Sequence, residues 1–133
     1  MRKGLVAALL MLCLALTACG AKPSGAKVLL DGAEWDKKPL SPGIASPRVY
    51  ITLDGKDLID LPFAEPHDVT ILQPDGAENA VKITGEAVYM DHANCENQDC
   101  VNMGQVTLDN LELRVMGGFV ICLPHKVSVE VRE

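Results

Sequence analysis

Arg48-Val49-Tyr50-Ile51-Thr52-Leu53-Asp54-Gly55-Lys56-Asp57-Leu58-Ile59-Asp60-Leu61 is the stretch that decides the fold. Val49, Ile51 and Leu53 alternate with Arg48, Tyr50 and Thr52, the period-two pattern of a strand with one face turned to a core. Asp54-Gly55 then supplies the two residues that most readily take positive φ in a tight hairpin, and Leu58 to Leu61 is the returning strand. Working outward, Val69 to Leu72 and Ala80 to Ile83 flank a second turn, Pro74-Asp75-Gly76. Glu86 to Met90 is a further strand. Leu111, Leu113 and Val115 also alternate with polar neighbours, and Gly117-Gly118 turns the chain into Phe119 to Leu123. The last strand is the cleanest, with Val127, Val129 and Val131 on one face and Lys126, Ser128, Glu130 and Arg132 on the other. No segment holds a helical period over three turns. These features predict a small all-β domain, an antiparallel sandwich or barrel with one core.

The region before it reads differently. Val28-Leu29-Leu30 is a candidate first strand, but Asp36 to Pro47 carries Pro39, Pro42 and Pro47 and reads as irregular connection, with Trp35 packed on the domain as a lid. Further upstream, Leu16-Thr17-Ala18-Cys19 closes a 12-residue apolar run, Leu5 to Leu16, behind Arg2 and Lys3. A bilayer-spanning helix needs about 20 apolar residues, so this run is too short to remain as a span. A basic n-region, a short apolar region and a small-residue cleavage site make a secretory signal peptide. The residues ahead of Cys19 fit a lipobox, so Cys19 is expected to be acylated and to become the mature N-terminus. The expected organisation is a signal peptide over 1–18, a lipidated cysteine and tether over 19–47, and the β-domain over 48–133.

Charge narrows the partners. Loss of Arg2 and Lys3 from the 12 basic residues leaves 10 against 18 acidic ones, a net charge of −8 with histidine neutral. Phosphate binding needs clustered Lys and Arg, so a nucleic-acid partner is not expected. Nor is there a polybasic surface to reinforce membrane attachment. More than one acyl chain on Cys19 would anchor the protein stably without it. The expected location is the extracytoplasmic face of the cell membrane.

Of the five cysteines, Cys13 leaves with the signal peptide and Cys19 carries lipid, which leaves Cys95, Cys100 and Cys122. An odd count in an oxidising compartment predicts one disulfide with a free thiol, or a ligand set. Cys95 and Cys100 lie in Asp91-His92-Ala93-Asn94-Cys95-Glu96-Asn97-Gln98-Asp99-Cys100, the most chemically loaded stretch, and Cys122 and His125 lie in Cys122-Leu123-Pro124-His125. If the strands fold back as read, the two regions can meet. One reading is a structural disulfide, with Cys95–Cys100 the nearest pair in sequence and Cys122 half-buried. A second is a metal or cluster site using Cys95, Cys100, Cys122 and His125, in which Cys122 and His125 have a usable ligand spacing. A third is a thiol redox pair activated by His92 or His125, which Asp91, Glu96 and Asp99 oppose by disfavouring the thiolate. His67 follows a proline in a loop and reads as solvated. No nucleophile elbow, phosphate loop or metalloprotease helix is present, and no enzyme activity or cofactor is expected.

Three segments together carry a family resemblance: Arg48 to Lys56, Cys95 to Gly104 with Val101 after the second cysteine, and Ile121-Cys122-Leu123-Pro124 with Val127 following. Over roughly residues 48–132 the chain resembles the NusG domain-II-like family, small β-domains that often stand alone behind a lipid or membrane anchor. That family usually has Pro after the first cysteine and Asn after the Cys-Leu-Pro segment; Glu96 and His125 occupy those positions here. The resemblance implies the β-fold. It also implies an association of stand-alone members with extracytoplasmic flavin and quinone electron-transfer systems, although this sequence has no flavin-attachment threonine motif. The expected role is therefore a non-enzymatic, lipid-anchored domain that binds a membrane-protein partner or supports its assembly, with the cysteine loop as the presented surface.

Overall fold

A computed structural model describes residues 25–36 and 47–133, so Cys19 and the signal peptide lie outside the described residues. The described residues form nine strands: β1 (Lys27–Leu30), β2 (Ala33–Glu34), β3 (Arg48–Leu53), β4 (Lys56–Pro62), β5 (His67–Leu72), β6 (Glu78–Ile83), β7 (Val88–Ala93), β8 (Phe119–Cys122) and β9 (Val127–Arg132). A single four-residue helix, α1 (Asp99–Asn102), and a 3-10 turn at Leu108–Asn110 interrupt them. Among the described residues, no helix is long and apolar enough to cross a membrane.

The strands make two antiparallel sheets, one ordered β2-β1-β5-β6-β7 and the other β4-β3-β9-β8. Their inner faces share one apolar core, so the architecture is a β-sandwich and not a closed barrel. The β3–β4 hairpin forms as its sequence predicts. Asp54 and Gly55 both have positive φ, 51° and 75°, the backbone that a two-residue turn matched to strand twist requires. Ile51 sits opposite Ile59 on one side and Val129 on the other, and all three are buried. Across β9, Val127, Val129 and Val131 turn inward as read.

The folded unit begins ahead of residue 48. Strand β1 runs antiparallel to β5 with Val28 opposite Ile71, and a two-residue turn at Asp31 and Gly32 returns the chain as β2. Trp35 is partly buried against the core.

Two departures from the sequence pattern shape the cysteine end of the domain. The segment of Leu111, Leu113 and Val115 is not a strand; it is a succession of turns, with Leu113 84% and Val115 102% exposed. Its backbone is gathered by Arg114, whose guanidinium donates to the carbonyls of Met103, Gln105, Gly117 and Phe119 at 2.9–3.2 Å. Secondly, β6 and β7 slip register, Val81 pairing with Met90 but Ala80 with His92, so that Asp91 is an extra residue. Before this bulge the even-numbered Val88 and Met90 point inward. After it the odd-numbered Ala93 and Cys95 do.

At the end of the sandwich that holds the β1–β2 turn, His67 is not merely solvated. Its Nδ1 lies 2.8 Å from Oδ2 of Asp31, whose other oxygen accepts from the backbone N–H of Asp68 at 2.8 Å. The Asp68 amide first, and His67 second, hold the Asp31 carboxyl below its ordinary pKa. A carboxyl with a lowered folded-state pKa adds stability above its unfolded value, near about 3.9, and loses it as pH falls through the folded value. Asp31→Asn is therefore expected to lower stability in the neutral region and to flatten the acid limb of the stability–pH curve below about pH 4, so that parent and variant converge in acid. Urea midpoints measured across that range check it, and an unchanged acid limb would refute the assignment.

Candidate functional site

The β7 bulge, the turn of α1 and the end of β8 converge on one place. Cys95 follows β7, Cys100 lies in α1 and Cys122 closes β8, and their sulfur atoms all lie within 4.8 Å of one another. The two regions that the sequence left far apart thus meet. All three are free thiols, buried at 5%, 1% and 1% exposure, with Sγ of Cys95 and Cys100 3.6 Å apart. Cys122 is fully buried where the sequence suggested half-burial.

The loop that carries two of them is shaped by Gln98, a residue that nothing in the sequence marks out. Gln98 takes a left-handed backbone, φ 56°, at the start of α1. Its side-chain amide donates to the carbonyls of Ala93 and Cys95, 2.6 Å each, closing the loop back onto the end of β7. Asn97 donates to the Asp99 carboxylate at 2.9 Å on the outer side. No imidazole or carboxylate among the described residues joins the sulfur group, so the interior of the site is thiol alone. Burial pushes the Cys100 thiol up to about 12, with hydrogen bonds to Cys95 and Cys122 adding to the rise. At neutral pH Cys100 is a protonated, poorly nucleophilic thiol unless something else draws off its proton.

His125 stands apart from the sulfur group. Its Nδ1 lies 2.8 Å from Oδ1 of Asn79, the only buried polar side chain among the described residues, whose amide also donates to the Met90 sulfur at 3.5 Å. Gln73 donates to the His125 carbonyl at 2.9 Å, so His125 ties the β8–β9 turn to the β5–β6 turn. His92 is exposed on the outer face of β7.

Next to the thiols a cavity of about 270 Å³ opens beside Cys100 and Cys122, walled by Met103, Met116, Ile121 and Leu123. Met103 and Met116 do not stand out in the sequence, because isolated methionines have no spacing that marks them. The Met103 sulfur accepts the backbone N–H of Ile121 at 3.3 Å, which holds it against β8. Leu123 and Met116 are exposed at the rim, continuing into Leu113 and Val115. Arg114 keeps that rim in place. The site is thus a sulfur-rich pocket with an apolar border.

Its position on the domain is set by the turns around it. A Cβ on Gly25 would stand 3.1 Å from Pro74 in the β5–β6 turn, so the chain joins the domain there. The same turn touches His125 through Gln73, and Asn94 donates to the Gly76 carbonyl at 2.9 Å just ahead of Cys95. The N-terminal approach and the thiols therefore occupy one end of the sandwich.

The model of the NusG domain II family matches residues 5–133 of the chain. Among solved structures the chain is similar to the Lin0431 protein from Listeria innocua, with 25% identity and a TM-score of 0.55 over 65% of this chain and 97% of that one. It is also similar to a DUF1312 family protein from Enterococcus faecalis, with 18% identity and a TM-score of 0.57 over 65% and 97% of the two chains. The second likeness is one of fold alone. No curated protein matches the chain.

Proposed function

Because the chain belongs to the NusG domain II family, we propose that it is an exported, lipid-anchored β-domain that turns its cysteine end toward the membrane and there binds a membrane-protein partner. The role is that of a non-enzymatic accessory, with extracytoplasmic electron-transfer complexes the class of partner that the family resemblance favours. One observation carries this reading: the chain joins the sandwich beside the β5–β6 turn, at the end that holds Cys95, Cys100 and Cys122. With an acyl group on Cys19, the six residues from there to Gly25 reach at most about 20 Å, at roughly 3.3–3.6 Å per residue. A tether that short keeps the end it joins close to the lipid surface. The apolar rim supports the same reading, since Leu113, Val115 and Leu123 are far more exposed than an isolated small domain needs. A surface of that kind, beside an acidic domain, suits a protein partner better than anionic headgroups.

The test places a photoreactive residue at Leu123, on the cysteine end, or at Glu86, in the β6–β7 turn at the other end. In intact membranes Leu123 is expected to crosslink to membrane protein and Glu86 is not. Cys19→Ala is expected to move the protein out of the membrane fraction and to abolish the Leu123 crosslink. Equal crosslinking from both ends would refute the orientation, and membrane retention of the Cys19→Ala variant would refute the tether.

A further inference from the structure

We infer that Cys95, Cys100 and Cys122 form a three-coordinate binding site for a single Cu(I) ion. The inference stands on the thiols themselves and does not depend on the tether or the partner.

Geometry comes first. With metal–sulfur bonds of about 2.3 Å, three sulfurs placed trigonally around one ion sit about 4.0 Å apart. The three sulfurs here lie within 4.8 Å of one another, and Cys95 and Cys100 are at 3.6 Å, so small side-chain rotations bring them to the required triangle. The Gln98 amide ties the turn that carries Cys100 to the Cys95 carbonyl at the end of β7, and Cys122 is held at the end of β8. A set of ligands positioned that way is organised before any ion arrives.

The donor set then chooses the ion. Thiolates and thioethers select soft ions, whereas imidazole and carboxylate suit harder ones. Structural zinc takes four ligands. Here three thiols stand together with no histidine or carboxylate among the described residues in their group, and the ring of His125 is engaged with Asn79. Three soft sulfurs without a fourth hard donor match a monovalent copper ion. The surroundings agree. The thiols are almost wholly buried, and the neighbouring cavity brings two thioethers, Met103 and Met116, to its wall. That cavity reaches the surface at Leu123 and gives the ion a way in past soft donors. Binding is a ligand exchange with no change of oxidation state: copper arrives and stays as Cu(I), and each thiol that becomes a thiolate releases its proton to water.

The experiment uses the full chain, purified in detergent micelles, reduced and kept free of oxygen. Cu(I) is titrated in against bicinchoninate, a coloured competitor. One equivalent of Cu(I) per chain is expected to resist the competitor and to give ultraviolet thiolate-to-copper absorption in proportion. Loss of an outer partner of a metal site typically costs 10–100-fold in affinity, so Cys100→Ser or Cys122→Ser, which remove a ligand, are expected to cost at least about 100-fold. His125→Ala is expected to leave the affinity unchanged. The inference is overturned if the unsubstituted chain yields all its Cu(I) to the competitor, or if it holds Zn(II) in preference. It is equally overturned if His125→Ala abolishes binding, which would point to a mixed sulfur and nitrogen site. Because the unsubstituted chain decides whether the site exists, a serine variant that fails to fold does not protect the inference.

Discussion

Replacing Ile51 with alanine is expected to lower stability by about 2–5 kcal/mol, the cost of removing a buried isoleucine and leaving a partly unfilled cavity. Ile51 lies at the centre of β3, 1% exposed, with Ile59 opposite it on β4 and Val129 opposite it on β9. Both cross-strand neighbours are themselves buried, so the space left by the truncation lies within the core. Small domains have about 5–15 kcal/mol in total, so this one change removes a large fraction of the fold's stability. Ile51→Val deletes a single methylene and is expected to cost about 0.5–1.5 kcal/mol. Urea unfolding of the two variants checks both figures, and an alanine variant within about 1 kcal/mol of the parent would mean that β3 is not the packed centre of the sandwich.

The second large effect is expected at Arg114. Its guanidinium donates to four backbone carbonyls from Met103 to Phe119, and the segment between has little regular structure to satisfy them otherwise. Hydrogen bonds from a charged group contribute about 1.5–3 kcal/mol, and the partial exposure of this group places Arg114→Ala toward the lower figure. In a domain of this size that is a fall in melting temperature of roughly 6–12 °C, at about 4–8 °C per kcal/mol. Arg114→Lys is not expected to restore the loss, because one ammonium cannot reach four carbonyls spread around a planar fork. The discriminating measurement is amide hydrogen exchange. Residues 103–118 should lose protection while β3 and β9 retain theirs. Uniform loss across both sheets would show that Arg114 supports the whole fold and not the wall of the thiol pocket.

These two residues also show how far the sequence could be read. Ile51 was legible: strict alternation with Arg48, Tyr50 and Thr52, followed by Asp54-Gly55, admits one local structure, and β9 repeats the pattern. Arg114 was not. Leu111, Leu113 and Val115 have the same alternation as a strand, but they join neither sheet, and the Arg114 side chain supplies carbonyl partners of the kind a neighbouring strand would have given. Periodicity reports which residues share a face; it does not report whether anything lies against that face. The family resemblance and the β class were legible for the first reason. The thiol site was legible only in part. Cys95, Cys100 and Cys122 stood out by residue type, but the side of the sheet on which Cys95 would fall depends on a bulge that has no residue signature of its own. His125 stood out by its spacing from Cys122, yet its contact is with Asn79, 46 positions earlier in the chain.

The bulge at Asp91 carries a consequence of another kind. Met90 and Cys95 are five positions apart and both face inward, which strict alternation forbids, so Cys95 meets the other two sulfurs only because the bulge absorbs one residue. Asp91 and His92 are exposed, so exchanging either for another polar residue leaves the trio intact. Losing either one removes the extra residue and leaves a regular strand on which Met90 and the cysteine still share the inner face. Along this short span the pairing itself reconciles an awkward spacing, and a chain shorter by one residue would need no bulge at all.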